Sequence, residues 1–153
     1  MEEKDRSSEC MALKLSHSNI IRYKSYGVIF RKKLFFHVFV MEKMDFSLAD
    51  YLTKNQEWTS FPVARRRSLF DRICKTVEFL HKERVKHLDL KPANFLLKSD
   101  GKGDFDLNNF KLTDFGFSQN HELATTKRGT PGRVVIFTIK KVFFGSSYLK
   151  IIS

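Results

Sequence analysis

The chain has 153 residues, with 28 Lys and Arg against 17 Asp and Glu, and a formal net charge of +11. That length accommodates one ordinary domain, and the charge admits an acidic-surface or nucleic-acid partner, although no nucleic-acid motif accompanies it and none is expected to bind. The two cysteines, Cys10 and Cys74, are far apart and lack metal-ligand spacing, which implies a reduced, intracellular and cytoplasmic setting. No signal peptide or apolar span is legible, because Lys140-Lys141 interrupt the apolar tail, so no membrane partner is expected.

In chain order, the first strong pattern is a pair of apolar runs, IIRYKSYGVIF and KLFFHVFVM, split by Arg31-Lys32-Lys33. Their aromatic and β-branched content predicts a β-hairpin. Between Pro62 and Arg84, Leu69, Phe70, Ile73, Val77 and Leu80 recur at helical spacing, which predicts an amphipathic helix with Ser60 and Pro62 at its start. Arg65-Arg66-Arg67 before Ser68 reads as a solvated basic face in preference to a phosphorylation or nuclear-import signal. Residues 94–97 (NFLL) and 110–112 (FKL) predict a second hairpin. The connection between them, KSDGKGDFDLNN, has a turn at Asp100-Gly101 and otherwise reads as a polar surface insertion without chemistry of its own.

Two motifs carry the chemistry: HLDLKPANFLL at residues 87–97 and LTDFGFS at residues 112–118. An aspartate and an asparagine separated by four residues in a loop, followed downstream by Asp-Phe-Gly, resemble the catalytic and metal loops of eukaryotic protein kinases. Lys91-Pro92 makes the resemblance closest to the serine/threonine branch, and HLDLKPAN is similar to the Mos type. A later GTPG at residues 129–132 stands in the matching order. The resemblance implies an α+β fold: an incomplete two-lobed protein-kinase-like architecture, with a β-hairpin remnant of the small lobe and the first helices, catalytic loop and activation loop of the large lobe. It divides the chain into a small-lobe remnant (1–41), hinge and partial large lobe (42–133), and a tail without family resemblance (134–153).

The implied cofactors are ATP and Mg²⁺, and the implied partner is a protein substrate that receives the γ-phosphate on a hydroxyl. Asp89 would orient that hydroxyl and accept its proton, and Lys91 would contact the transferred phosphate. Asn94 and Asp114 would supply oxygen ligands of the hard kind that Mg²⁺ takes. His87 resembles the structural histidine of the catalytic loop, and Gly116 would let the chain turn after the metal ligand. Residues 41–52 resemble the hinge and first large-lobe helix, so backbone groups near Glu42 and Met44 would meet the adenine, with Met41 at the back pocket. Thr125, Thr126 and Thr130 are the hydroxyls of the implied activation loop.

The sequence also departs from the pattern. Leu88 stands where most members have arginine, which argues against switching by phosphorylation. No glycine-rich loop precedes Leu15, nor does a strand bearing the phosphate-anchoring lysine, and Glu9 is the nearest candidate for that lysine's glutamate partner. Weak or absent activity of the chain as it stands is therefore expected. Because later large-lobe helices would normally cover the helix between Pro62 and Arg84, its apolar face is expected to be exposed. The competing readings are a noncatalytic kinase-like binding or regulatory fragment, and a basic nucleic-acid-associated protein.

Overall fold

A computed structural model describes residues 10–54, 62–102 and 104–120. Strands β1 (Tyr23–Arg31) and β2 (Leu34–Met41) form an antiparallel hairpin, with a bulge between Tyr23 and Ser25. Its two-residue turn, Lys32-Lys33, has φ of 50° and 64°, the sign that a type I′ connection requires at both central positions. Lysine holds that conformation at a cost of about 1–2 kcal/mol per residue, because Cβ crowds the carbonyl oxygen.

After the hairpin come β3 (Phe46–Ser47), α1 (Leu48–Lys54), α2 (Val63–Lys82) and β4 (Val85–Lys86). A 3₁₀ turn (Pro92–Asn94) then leads into β5 (Phe95–Ser99), β6 (Phe105–Leu112) and β7 (Gln119–Asn120). The strands form three separate sheets: β1-β2, β3-β5-β6 and β4-β7. The start of α1 is a reciprocal capping box. The Asp50 amide donates to Ser47 Oγ at 3.1 Å, while the Ser47 amide donates to Asp50 Oδ2 at 3.0 Å. At the other end of α2 the chain leaves through Arg84 in the left-handed region, with its amide bonded to the His81 carbonyl at 3.1 Å.

The two predicted hairpins and the long helix are present. Pro62 occupies the N-cap of α2 without a side-chain cap bond, and Ser60 lies outside the described residues. The apolar face of α2 differs from expectation, because Leu69, Ile73, Val77 and Leu80 are all buried. Its partners in the core are Leu48 and Tyr51 of α1 and a row of strand residues, including Phe95, Leu97, Phe105, Phe110 and Leu112. Phe95 and Phe110 stack face to face at 5.1 Å. Most of the large apolar residues left in water lie instead on β1 and β2, with Leu13, Val63 and Phe117 outside them.

The connection between β5 and β6 also departs from expectation. Asp100-Gly101 does turn the chain, with Gly101 at φ 75° and Asp100 Oδ1 accepting the Lys102 and Asp104 amides. However, β6 begins at Phe105, and that ring is fully buried, so five of the twelve residues of the expected insertion are strand, and the first of them is core. Asp104 accepts the Tyr51 hydroxyl at 3.0 Å and pairs with Arg65 at 2.7 Å. The Arg65 guanidinium also donates to the Phe105 carbonyl and covers its ring at 4.9 Å. Arg65 is thus a structural clamp, where a solvated basic face was expected. Burial, reinforced by Asp104, pushes the Tyr51 hydroxyl up to about 12.

The segment before β1 is held to this core. Leu112 donates its amide to the Asn19 carbonyl at 2.7 Å and accepts the Ile21 amide at 2.9 Å. The buried Asn19 side chain donates to Thr76 on α2 at 3.2 Å, and the His17 ring stacks on Phe79 at 4.5 Å.

Replacing the buried Phe110 with Ala should lower the unfolding free energy by about 3–5 kcal/mol, whereas Phe35→Ala on the exposed hairpin should change it by under about 0.5 kcal/mol. Urea unfolding of the two variants tests this, and equal losses would contradict the placement of the core.

Candidate active site

The catalytic-loop residues are placed by the two ends of the β5–β6 hairpin. Asn94 is the last residue before β5, and its carbonyl accepts the Thr113 amide at 2.9 Å just beyond β6. That single bond sets the 87–94 loop beside the start of Asp114-Phe115-Gly116. Pro92 and Asn94 sit in the 3₁₀ turn, closed by the Asn94 amide on the Lys91 carbonyl at 3.0 Å.

Within the loop, Asp89 is the acceptor for its neighbours. Lys91 Nζ lies 2.6 Å from Asp89 Oδ2, and Asn94 Nδ2 donates both to that oxygen at 3.1 Å and to the Asp89 carbonyl at 2.8 Å. Burial would raise the Asp89 carboxyl, but these bonds from Lys91 and Asn94 outweigh it and hold it below the ordinary carboxylate value. Lys91 is raised in turn, first by its bond to Asp89. The carboxylate is therefore ionised and fixed in orientation. With Nδ2 of Asn94 spent on Asp89, no hydrogen bond from a described residue reaches its Oδ1, which leaves that oxygen available as a ligand.

His87 is buried beneath the loop. Its Nε2–H donates to the Thr113 carbonyl at 3.0 Å, leaving Nδ1 to accept the Asp89 amide at 3.4 Å. The ring packs against the fully buried Phe115 at 4.8 Å. Burial lowers His87 more than the Thr113 carbonyl and the nearby Asp114 and Asp89 raise it, so the ring is neutral. It serves as a peg between the catalytic loop and the Asp114 segment, as the sequence resemblance implied.

Two residues beside the acidic groups adopt left-handed backbone: Leu88 at φ 65° and Asp114 at φ 64°. The chain does turn at Gly116-Phe117, closed by the Ser118 amide on the Phe115 carbonyl at 2.8 Å, as expected, but the left-handed residue is Asp114 itself, and among the described residues the only glycine with positive φ is Gly101. Each such non-glycine conformation costs about 1–3 kcal/mol, held in place by surrounding structure. Here the restraints are the Thr113–Asn94 bond, the buried Phe115 and the His87 bonds.

Glu42 and Met44 lie between β2 and β3. The Glu42 amide donates to the Arg22 carbonyl at 2.9 Å, and its carboxylate accepts the Arg22 amide at 2.8 Å and lies 3.6 Å from Lys111 Nζ. No described residue hydrogen-bonds the Glu42 carbonyl or the Met44 amide, so both edge groups are open, while Asp45 donates to Leu97 at 3.0 Å and fixes the exit of the segment. Asp89, Lys91 and Asn94 are thus joined directly, Asp114 is tied to them through Thr113, and Glu42 and Met44 form a separate backbone edge linked to β6 through Lys111. Glu9, Thr125, Thr126, Thr130 and the 129–132 motif lie outside the described residues.

The protein kinase domain family matches residues 2–140 of the sequence. The chain belongs to this family. CBL-interacting serine/threonine-protein kinase 16 of Arabidopsis thaliana is 32% identical over 151 residues, covering 88% of this chain and 28% of that protein. Serine/threonine-protein kinase shk2 of Schizosaccharomyces pombe is 31% identical over 135 residues, covering 85% and 20%. Serine/threonine-protein kinase Nek3 of Mus musculus is 32% identical over 130 residues, covering 82% and 23%. The chain spans between 20% and 28% of the length of these serine/threonine kinase relatives.

Because folded His87 binds its proton less readily than an ordinary histidine at 6.5, the unfolded chain takes up more protons as the pH falls. The stabilisation is complete above that value and is lost as the pH drops below it. Unfolding free energies measured by urea titration should therefore decline between about pH 7 and about pH 5. His87→Gln should flatten that decline without abolishing it, because His17, lowered by burial and then by Lys111, contributes in the same direction. An unchanged slope in the variant would show that His87 is not the buried neutral peg described above.

Proposed function

We propose that this chain carries the phosphoryl-transfer loops of a serine/threonine kinase acting on protein hydroxyls with Mg²⁺ and ATP. The observation that carries the reading is the arrangement at Asp89: an ionised carboxylate whose Oδ2 is held by Lys91 and Asn94. A base fixed in this way can orient a substrate hydroxyl and take its proton as the oxygen attacks the γ-phosphorus and the bond to the β-phosphate oxygen breaks. Lys91 is half exposed and carries its charge beside the place where phosphoryl oxygens would gather.

The donor set fits Mg²⁺. Asn94 Oδ1 and the Asp114 carboxylate are hard oxygen donors. Mg²⁺ binds through one or two protein oxygens and completes its shell with phosphate and water. Such an ion, when bound, would neutralise charge on the phosphates. The open Glu42 carbonyl and Met44 amide are suited to the amino and ring-nitrogen edge of adenine. Leu88 in the loop supports the Mos-type reading and a site that works without a phosphate-gripping arginine. The incomplete two-lobed architecture, the division at residues 41 and 133, and the cytoplasmic setting belong to the same proposal.

The second reading, a noncatalytic binding fragment, is favoured by one observation: the apolar hairpin β1-β2 is exposed along most of its length. Titration calorimetry of the full chain with Mg-ATP separates the two. On the kinase reading, binding is detectable and Asp114→Asn weakens it by about tenfold or more, the loss of one close charge contact. Asp89→Asn should leave that affinity unchanged and lower phosphate transfer to a serine peptide by about 10²–10⁴-fold. Absence of measurable Mg-ATP binding by the unaltered chain would refute the catalytic reading for this polypeptide.

A further inference from the structure

Lys111 stands in β6 between two fully buried residues, Phe110 and Leu112, and alternation along the strand turns its side chain to the opposite face from theirs. On that face only 15% of the side chain is exposed. A lysine enclosed to this degree needs polar partners. Two come from segments far apart in the chain: Nζ donates to the Ser18 carbonyl at 2.7 Å and lies 3.6 Å from Glu42 Oε1. The ammonium is also felt at His17, whose proton affinity is lowered by burial and then by Lys111.

The Glu42 oxygen that faces Lys111 is the one that accepts the Arg22 amide at 2.8 Å, while the Glu42 amide donates to the Arg22 carbonyl at 2.9 Å. That reciprocal pair fixes the residue whose carbonyl is left open. Beyond Met44, the Asp45 amide donates to the Leu97 carbonyl at 3.0 Å and the Asp45 carboxylate accepts the Ser99 amide at 2.8 Å. The Glu42–Met44 edge is therefore tied at both ends to one ladder, through Asp45 to β5 and through Lys111 to β6. The second tie reaches beyond the edge, because Lys111 lies three residues ahead of Asp114 in the chain. A ligand spanning the edge and Asp114 senses the spacing between them, and Lys111 helps to set it.

We propose that Lys111 is a positioning residue for the nucleotide, holding the Glu42–Met44 backbone edge, through the Glu42 carboxylate, where adenine meets it. The proposal rests on the kinase reading above. Lys111 contacts neither adenine nor phosphate in this arrangement. Its bond to Ser18 alone would be a brace between β6 and the segment before β1. The contact with Glu42 is different, because it ends on a segment whose backbone leaves a carbonyl and an amide open to a ligand.

Titration calorimetry of the full chain with adenosine, with Mg-ATP and with magnesium tripolyphosphate separates positioning from bracing. Lys111→Met keeps the aliphatic stem and removes the charge. It should weaken adenosine and Mg-ATP by the same factor, about tenfold, as for one lost hydrogen bond, and leave magnesium tripolyphosphate unchanged. Glu42→Gln should show a similar loss, and the two substitutions together no more than either alone, because both remove one contact. Lys111→Arg, which retains charge and donors, should keep most of the adenosine affinity. Equal weakening of all three ligands by Lys111→Met would mark a brace and overturn the proposal, as would additive losses in the double variant. Should Lys111→Met fail to fold, Glu42→Gln decides, and unchanged adenosine affinity there overturns the proposal. Absence of Mg-ATP binding by the unaltered chain would refute the kinase reading and the nucleotide role of Lys111 with it. Amide hydrogen exchange tells the two failures apart: faster exchange at Arg22 and Glu42 in Lys111→Met, with Phe110 unchanged, upholds the hold on the edge, and equal rates overturn it.

Discussion

The β5–β6 ladder is the constraint from which the rest of the structure hangs. Phe95 pairs with Leu112 and Leu97 with Phe110, and all four side chains are buried. Every functional segment is attached to one end of that ladder or to its edge. The catalytic loop enters at Phe95, Asp114 leaves two residues after Leu112, and the exit of the Glu42–Met44 segment is bonded to Leu97. The segment before β1 adds itself beside Leu112 through Asn19 and Ile21. The ladder's energy is mainly apolar burial, but its backbone bonds set the register that brings Asn94 opposite Thr113. A slip of one residue would turn Phe110 and Leu112 to solvent and separate Asn94 from Asp114 at the same time, so stability and site geometry depend on the same pairing.

Given that platform, the loops can hold unfavourable conformations. Leu88 and Asp114 are both left-handed, and each stands next to or at a residue with a proposed chemical role. The fold restrains them through groups that are themselves buried: Phe115 under the loop, and His87 bridging the Asp89 amide and the Thr113 carbonyl. Neutral His87 can do both because one ring nitrogen donates and the other accepts. A protonated ring would present two donors and lose the acceptor that meets Asp89. The pH sensitivity of the peg and the placement of the Asp89 backbone are therefore linked through one side chain.

How far these features could be read from the sequence follows from the range of the interactions involved. Asp89, Lys91 and Asn94 fall within six residues of one another, and their chemistry requires particular side chains at fixed spacing, so the motif was visible. The hairpins were visible for a similar reason, since alternation and β-branched content are local signals. Early β6 was missed because Asp106, Asn108 and Asn109 are polar and masked the burial of Phe105. The burial of α2 was misjudged for a different reason: its cover was expected from later helices of the large lobe, whereas α1 and the strands, Phe105 among them, supply it. Arg65 lies 39 positions from Asp104 in the chain, and nothing in a run of three arginines indicates which one will be clamped. The turn at Gly116 was legible, but the left-handed backbone of Asp114 was not, because glycine is the residue that backbone freedom would suggest for it.

The two hairpins show how context decides what an apolar strand does. Both are rich in Phe, Leu and Val. In β5-β6 the Phe and Leu side chains meet α1 and α2 and become core. In β1-β2 the described residues supply no layer to cover either face, so side chains of the same kind remain in water along most of its length. An edge this apolar is ordinarily blunted by charge, proline or a bulge. Here β2 has no charged residue between Leu34 and Met41, and the cations are gathered instead at the turn. That placement does little to protect the edge but makes the tip amphipathic along the hairpin axis, with charge at the end and aromatic rings just behind it.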